Sequence, residues 1–433
     1  MNIHIKSCKS HRLSLAGTFI PACCRMLCLV LLGAFIASCT TDSGMSIRLE
    51  NTLTIERPSE PVVIKRESLG EWLATGAAGQ KIVVRDEAGQ AIPSQLDDLD
   101  ADGNWDELSF QYSLPAQSKV AVKLEWLEPG ANVTYDPRAH AYLGHRPTRE
   151  GNFQSVDQNI RPKDHEPQSQ PYLYQFEGPG WESDVIAYRM YFDRRNGKDI
   201  FGKTKTGIFL ESIGVGENYH KLQDWGMDVL KVGNSLGAGS LAMIKNDSIY
   251  RLGETQSSEF KKIADGPVRA IIQLSYTGWE VEGKSYDLEE VITIWGGKRW
   301  YYDKVTLKGS SADTLITGIV NLFDIQPVEK TFSNFTILAS HGKQSENQDM
   351  LGMALLAPSD RVAKVGSAPK EGEGVTFTEY MALKGAGSEY HYWFYTGWEL
   401  EDEKFASQQQ FMNALEEEAS KLSEPIRITI NLK

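Results

Sequence analysis

Cysteine is missing from all but the start of this chain. The five cysteines are Cys8, Cys23, Cys24, Cys28 and Cys39. The remaining sequence therefore offers no thiol for a disulfide, a cysteine nucleophile or a thiolate zinc site. Positive charge is scarce too, with Lys+Arg 45 against Asp+Glu 58, a net charge of -13 and a pI near 5.2. This balance excludes a general nucleic-acid or anionic-membrane surface, so an acidic partner must meet a local basic patch.

A hydrophobic run long enough to cross a membrane is absent as well. The strongest run covers residues 26–36, well short of the roughly 20 residues that a membrane helix needs. Basic residues precede it, and Ile36-Ala37-Ser38-Cys39 follows, as in a bacterial lipobox. We expect a signal peptide over 1–38, lipidation of Cys39 and a tether over 39–44. An ordinary cleaved signal or an uncleaved anchor is the alternative.

Helical periodicity is rare in the body of the chain. Only "QQQFMNALEEEASKLSEP" has apolar residues at helical spacing, and Pro425 closes it. Period-two alternation dominates elsewhere, which predicts one all-β sandwich over 45–433 with a few peripheral helices. Its N-terminal strands cover 45–130, and 146–170 forms a loop or lid over the sheet.

Two strand predictions are specific. In the first, Val185, Ala187, Arg189, Tyr191 and Asp193 face one way, while the alternate residues from Ile186 to Arg194 face the core. In the second, "YDLEEVITIW" and "WYYDKVTL" form a hairpin around the turn Gly296-Gly297-Lys298-Arg299.

The stretch "DDLDADGNWDE" concentrates carboxylates around a tight turn. Asp98, Asp100, Asp102 and Asp106 have spacings similar to those of an EF-hand loop and offer the hard oxygen donors that calcium prefers. However, Ser109 stands where a bidentate Glu would be expected. The alternatives are a structural calcium site and a solvated turn with Asp side chains bonded to local amides. No other cofactor is expected.

A second region, residues 177–239, is rich in cations and aromatics. Its cations are Arg189, Arg194, Arg195, Lys198, Lys203 and Lys205. Such a concentration in an acidic protein favours binding of a carboxylate or sulfate, although an ordinary hairpin edge with paired charges is the simpler reading. Trp181 and Trp225 could stack on sugar rings, or they could be core residues.

Tyr219 and His220 follow in a glycine-rich stretch. Histidine is suited to proton transfer near neutrality, and an adjacent tyrosine can act as an acid or base if nearby cations lower its pKa. The spacing of His220, Asp224 and Asp228 would align three metal ligands on a helix, but Gly226 disfavours that helix.

The strings "DLDADGNWDEL", "EGPGWESDVIAYRMYFDRRNGKDIFGK" and "YHKLQDWGMDVLKVGNSLGAGS" resemble a bacterial domain-of-unknown-function family of polysaccharide-utilisation loci. That family includes ulvan oligosaccharide dehydratases and is related to the galactose-mutarotase-like sandwiches. The resemblance implies a supersandwich fold and an acidic-oligosaccharide substrate. The lipobox, in contrast, is the basis for expecting an exported protein at the outer membrane or its periplasmic face, with membrane contact only through a lipid anchor.

Dehydration of a non-reducing-end uronate needs three kinds of group. A cation must neutralise the carboxylate, a base must remove the C5 proton, and an acid must protonate the C4 hydroxyl as it leaves. We expect His220 as base, Tyr219 or Tyr191 as acid, and Arg189 with Arg194 or Arg195 as the clamp. Strand alternation favours Arg195, which shares the parity of Arg189 if the strand stays regular that far. Lys203, Trp181 and Trp225 are further substrate-binding candidates. A polysaccharide lyase, a hydrolase using Glu177, Glu182 and Asp184, and a non-catalytic glycan binder are the alternatives.

Overall fold

The computed structural model describes residues 44–77, 79–309 and 314–431. The predicted signal peptide, Cys39 and nearly all of the tether lie outside the described residues. These described residues form one compact unit. Within the described ranges, no helix has the length and apolar character needed to cross a membrane.

Strands are the main regular structure of the described chain, and they are numbered here in sequence order. The N-terminal strands are β1 Met45–Glu50, β2 Arg57–Lys65, β3 Ile82–Arg85, β4 Ala91–Ile92, β5 Ser94–Asp97, β6 Glu107–Leu114 and β7 Lys119–Trp126. The central strands are β8 Ala139–Tyr142, β9 Gly144–His145, β10 Gln154–Ser155, β11 Gln158–Ile160, β12 Gly180–Ser183, β13 Ile186–Met190, β14 Lys198–Lys203, β15 Gly226–Asp228, β16 Ala238–Lys245, β17 Ser248–Arg251, β18 Ser257–Asp265, β19 Arg269–Val281, β20 Lys284–Trp295 and β21 Trp300–Lys308. The last strands are β22 Thr314–Val320, β23 Val328–Phe332, β24 Phe335–Lys343, β25 Met350–Pro358, β26 Val362–Ser367, β27 Thr378–Leu383, β28 Glu389–Trp398 and β29 Arg427–Asn431.

Helices are peripheral. The α-helix α1 covers Gln408–Ser423, and short 3-10 helices cover Arg66–Thr75, Gln175–Glu177, Ser359–Arg361 and Glu403–Ala406. The periodicity prediction for α1 is confirmed. Its apolar stripe, including Phe411 and Leu415, packs on the outer face of the largest sheet. The Ser407 hydroxyl caps its first turn, and the chain leaves the helix just before Pro425.

The central body is a sandwich of antiparallel sheets. A nine-stranded sheet, in the order β11-β18-β19-β20-β21-β28-β25-β24-β23, shares one hydrophobic core with two five-stranded sheets, β15-β14-β13-β12-β8 and β17-β16-β22-β27-β26. The all-β sandwich predicted from alternation is therefore correct. The predicted hairpin is present as β20 and β21, with Ile294 opposite Tyr301.

A smaller layer is built from the two chain ends. In the order β29-β1-β7-β3-β4, one sheet pairs the last strand with the first, and it packs against β2-β6-β5 around a separate hydrophobic core. The predicted acidic turn connects β5 to β6 in this layer. Residues 146–170 contain the short strands β10 and β11, so this segment is only partly a loop.

Strand β13 positions the cation-rich region. Ile186, Tyr188 and Met190 face the main core as predicted. The opposite set, which includes Ala187 and Arg189, is also buried, because residues 174–178 and 207–225 cover that face. The regular strand ends at Met190, so strand parity does not extend to Arg195 as the sequence prediction assumed.

Candidate active site

A buried arginine organises the predicted site. Arg189 on β13 is 1% exposed and lies opposite Asp199 on β14 in the strand register. Its guanidinium donates to Asp199 Oδ2 at 3.1 and 2.8 Å and to Asp228 Oδ2 at 2.6 Å. The remaining donors point at the Phe176 carbonyl, at 3.1 Å, and at Glu177, at 3.4 Å. All five N–H groups of the guanidinium thus have protein partners.

This arrangement corrects the predicted role of Arg189. A guanidinium with every donor used, and with almost no exposed surface, cannot clamp a substrate carboxylate without breaking buried ion pairs. Arg189 instead holds Asp199 and Asp228 together. Burial first, and then the neighbouring Asp228, raise the pKa of Asp199 to about 7.

The histidine lies at the exposed edge of this cluster. His220 Nδ1 is 3.2 Å from Asp228 Oδ2, and the His220 side chain is 63% exposed. A backbone hydrogen bond from Asp228 N to Tyr219 O, at 2.8 Å, fixes the loop to β15. The hydrogen bond with Asp228 raises the pKa of His220. Asp228 therefore orients the imidazole through Nδ1, and Nε2 makes no hydrogen bond among the described residues.

Both predicted tyrosines join the cluster. The Tyr219 ring lies 4.4 Å from the His220 ring, and its hydroxyl accepts from Arg189 at 3.4 Å. Tyr191 is buried and donates to Asp199 Oδ2 at 2.6 Å. Arg189 acts to lower the pKa of both tyrosines, but burial has the larger effect and raises the pKa of both groups, so the condition for a tyrosine base is not met. A tyrosine that keeps its proton at neutral pH can serve only as an acid.

Arg195 supplies the accessible positive charge. Its side chain is 43% exposed and lies over the Tyr191 ring at 4.1 Å. Asp193 and Glu177 hold its Nε and Nη2, while its Nη1 has no hydrogen-bond partner among the described residues. The turn Asp193–Asn196, not strand alternation, brings Arg195 here, through the hydrogen bond from Asn196 N to Asp193 O at 3.2 Å.

Glu177 lies beside Arg195 at the exposed edge of the cluster, and the backbone around it has an unusual conformation. Phe176 and Glu177 have φ angles of 38° and 70°, which non-glycine residues adopt rarely. The next residue must be glycine, because a Cβ on Gly178 would lie 2.1 Å from the Met190 carbonyl oxygen. The backbone conformation of Glu177-Gly178-Pro179-Gly180 therefore places the Glu177 carboxylate in contact with Arg189 and Arg195.

Three predicted substrate contacts lie elsewhere. Lys203 is fully buried at the far end of β14 and paired with Glu182. Trp181 is 1% exposed and packs beside Tyr188 in the main core. Trp225 is buried against Phe201, beneath the loop that carries His220. None of these side chains offers a surface to a substrate in this conformation, so their assignment as substrate contacts is corrected to a structural role.

The metal alternative at His220 does not fit the backbone. Residues 218–221 form a turn instead of a helix. The Asp224 side chain is fully exposed and lies 3.8 Å from Lys205. Only His220 and Asp228 of the three proposed ligands come together.

From the sequence, Asp199 has no predicted role here, Asp228 is predicted only as a metal ligand with His220, and Glu177 only as a carboxylate of the hydrolase alternative. Asp199 could have been found from register, because a hairpin centred on Arg194 places it opposite Arg189. Asp228 lies at the end of the three-residue strand β15 and Glu177 at the end of a short 3-10 helix, and both segments are too short to leave a periodic signal.

The acidic turn is a separate feature. Oxygens of Asp98, Asp100 and Asp106 lie within 4.8 Å of one another. The Asp102 carboxylate is outside this group and accepts from Asn104 N at 2.7 Å. Backbone amides also bond to Asp98 and Asp106, as the solvated-turn alternative requires. The arrangement of three oxygen ligands fits calcium, which remains a prediction.

If calcium binds here, it should stabilise the fold. At a concentration of about 100 times its Kd, the ion would add about 2.7 kcal/mol to the free energy of unfolding. We expect Asp98→Asn to abolish the calcium-dependent rise in Tm, and Asp102→Asn, the matched control, to retain most of it. Differential scanning fluorimetry with calcium and with a chelator measures this. Equal Tm values for the wild type in the two buffers would leave the solvated turn as the correct interpretation.

Comparisons with known proteins match most of the chain. The model of a family described as a domain of unknown function, DUF4861, matches residues 49–428. "Uncharacterized protein P7" of Formosa agariphila is 24% identical over 298 residues, which cover 68% of this chain and 71% of that protein.

Two solved structures from Enterococcus faecalis are similar to this chain over most of its length. One is an alpha-mannosidase, with 11% identity, a TM-score of 0.46 and coverage of 90% of this chain and 46% of its own. The other is a protein of glycosyl hydrolase family 38, with 11% identity, a TM-score of 0.46 and coverage of 91% and 48%. The chain spans about half the length of either protein.

Proposed function

Because the chain belongs to the DUF4861 family, whose description assigns no function, we propose one from its own side chains: β-elimination of water from the non-reducing-end uronate of an acidic oligosaccharide. The observation that carries this proposal is the pair of His220 and Asp228, a solvent-facing imidazole fixed by a buried carboxylate at 3.2 Å. Ulvan oligosaccharides belong to this substrate class and are the first to test.

The roles follow from exposure and charge. Arg195 neutralises the substrate carboxylate through its unoccupied Nη1, which makes the C5 proton more acidic. His220 Nε2 removes that proton, and Asp228 stabilises the imidazolium that results. Tyr219 donates its proton to the C4 hydroxyl, which leaves as water. The product is an unsaturated uronate.

A paired-carboxylate hydrolase has less support. Of its candidate residues, Glu182 is fully buried and accepts from Lys203 and from the amides of Phe209 and Leu210. Asp184 is paired with Arg138 at 2.8 Å. Only Glu177 reaches the cluster, and hydrolysis requires a second carboxylate on the other side of the bond.

Product mass and ultraviolet absorbance test the reaction. We expect uronate oligosaccharides to lose one water per chain and to gain the absorbance of a conjugated double bond. Chain shortening with the same absorbance would make the protein a lyase. Tight binding with unchanged mass would make it a glycan-binding protein.

Arg195→Ala is expected to raise KM about tenfold or more, because a charge-assisted hydrogen bond contributes about 1.5–3 kcal/mol. Arg194→Ala is the matched control, since the Arg194 side chain is 63% exposed and lies 3.6 Å from Glu166. Steady-state kinetics on the same oligosaccharide compares the two. Similar KM values in both variants would remove Arg195 from the site.

Export and lipid anchoring remain proposals from the sequence. A lipid on Cys39 would hold the enzyme at the outer membrane or its periplasmic face. Oligosaccharides released outside the inner membrane would then be its substrates.

A further inference from the structure

A second cleft lies away from the Arg189 cluster. It is a cavity of about 410 Å³ between β2, the β20–β21 hairpin, β28 and the C-terminal end of α1. An adjoining cavity of about 370 Å³ shares Lys298, Trp300, Glu418 and Lys421 with it. Val185 lines the adjoining cavity, whereas Arg195 lies beyond the other end of β13. The two sites are therefore separate.

Aromatic rings line the first cavity. Its four aromatic residues are Trp295, Trp300, Tyr302 and Trp393. Tyr302 and Trp393 are half-buried, with ring centroids 4.8 Å apart and planes 43° apart. The C–H face of a pyranose packs against such rings, while its hydroxyls need polar groups at the edge.

Lys298 is the unusual polar group of this cleft. It lies in the turn of the β20–β21 hairpin and is 6% exposed. Among the described residues, its ammonium makes one long hydrogen bond, to the Pro58 carbonyl at 3.5 Å. The nearest carboxylate is Glu60, at 4.0 Å, and Arg57 holds Glu60 at 2.7 Å. A buried ammonium with such weak partners is energetically unfavourable.

The other buried lysines show the contrast. Lys198, which is 1% exposed, donates to Glu290 at 2.8 Å and to Asp303 at 2.6 Å. Lys421, in the wall of the same cleft, is held by Glu417 and Glu418. Lys298 alone of these three has no carboxylate oxygen closer than 4.0 Å, and it lines both cavities.

We propose that this cleft binds a carboxylated or sulfated pyranose ring of an oligosaccharide, with the ring against Tyr302 and Trp393 and its anion on Lys298. The inference rests on the proposed function only for its choice of an acidic sugar. It assigns a non-catalytic binding site that can retain a long substrate while its end is processed.

Calorimetric titration with an oligoglucuronate tetrasaccharide and with its carboxyl-reduced form tests the site. The full chain carrying both His220→Gln and Arg195→Ala is used, so that neither turnover nor the Arg195 clamp contributes. In this background Lys298→Met should lower affinity for the acidic tetrasaccharide about tenfold, because it removes a charge-assisted hydrogen bond and keeps the apolar stem. Affinity for the reduced form should change little.

Two further variants complete the experiment. Trp393→Ala should weaken both ligands, because the ring loses its stacking partner. Lys304→Met is the matched control, because Lys304 is 45% exposed on β21 and paired with Glu389, and it should bind like the parent. Circular dichroism and Tm establish that each variant is folded.

Each result separates this site from the catalytic proposal. Equal affinity of Lys298→Met and its parent, preference for the reduced form, or no binding by the parent would overturn the inference. Lysine-dependent binding by a protein that never dehydrates a uronate would retain the cleft and refute the dehydratase. Dehydration without lysine-dependent binding would support the dehydratase and refute the binding cleft.

Discussion

Replacing His220 with Gln should lower the rate of uronate dehydration about 100- to 10,000-fold while leaving the fold intact, the range expected when a general base is lost. His220 is 63% exposed and contacts the cluster through Asp228 and the Tyr219 ring. Glutamine preserves size and polarity but cannot accept a proton at neutral pH. The loss should therefore be in kcat more than in KM.

The matched control is His391→Gln, on the nine-stranded sheet beside Trp393. It should retain wild-type turnover. Progress curves from absorbance, combined with product mass, measure both variants. Wild-type turnover by folded His220→Gln protein would refute the assignment of the base.

The pH profile gives an independent readout. A base works only when neutral, so activity should fall as pH drops through the pKa of His220. The hydrogen bond with Asp228 raises that pKa above its ordinary value, which is about 6.5. Asp228→Asn removes the negative charge, and the acidic limb should then move to lower pH, with a lower maximum rate. If the acidic limb of the pH profile does not shift in Asp228→Asn, a group other than His220 controls the loss of activity at low pH.

Much of the fold could be predicted because its signals are periodic. Alternation identified the core face of β13 and both strands of the β20–β21 hairpin, and helical spacing identified α1. These patterns arise from burial of one face, and burial is what organises a sandwich.

The site was only partly predictable, because its geometry depends on loops and on buried charge. The sequence correctly grouped Arg189, Tyr191, Tyr219 and His220, but it could not distinguish a buried cation from an accessible one. Arg189 and Lys203 have the same local character as Arg195, yet their partners Asp199 and Glu182 lie across strands and neutralise them. The charge of a side chain is visible in the sequence, and its availability to a ligand depends on tertiary contacts.

Arg189→Met should be the most destabilising substitution in the candidate site. It leaves the carboxylates of Asp199 and Asp228, which are 0% and 4% exposed, without their cation. Breaking a buried pair by removing one partner costs about 3–5 kcal/mol. Arg194→Met, the exposed control, should stay within about 0.5 kcal/mol of wild type. Urea denaturation with fluorescence from the tryptophans gives both free energies of unfolding.

Two features separate this effect from a simple packing loss. Adding Asp199→Asn to Arg189→Met removes one unpaired buried charge, so the double variant should be more stable than Arg189→Met alone. Burial and Asp228 already raise the pKa of Asp199 to about 7, and loss of the guanidinium should raise it further. The folded state then binds more protons than the unfolded state, so the deficit should be smaller at about pH 5 than at about pH 8. The loss of unfolding free energy could instead be independent of pH and become larger when Asp199→Asn is added. Arg189 would then stabilise the sandwich by packing, and the charge network would not hold Asp228 in place for His220.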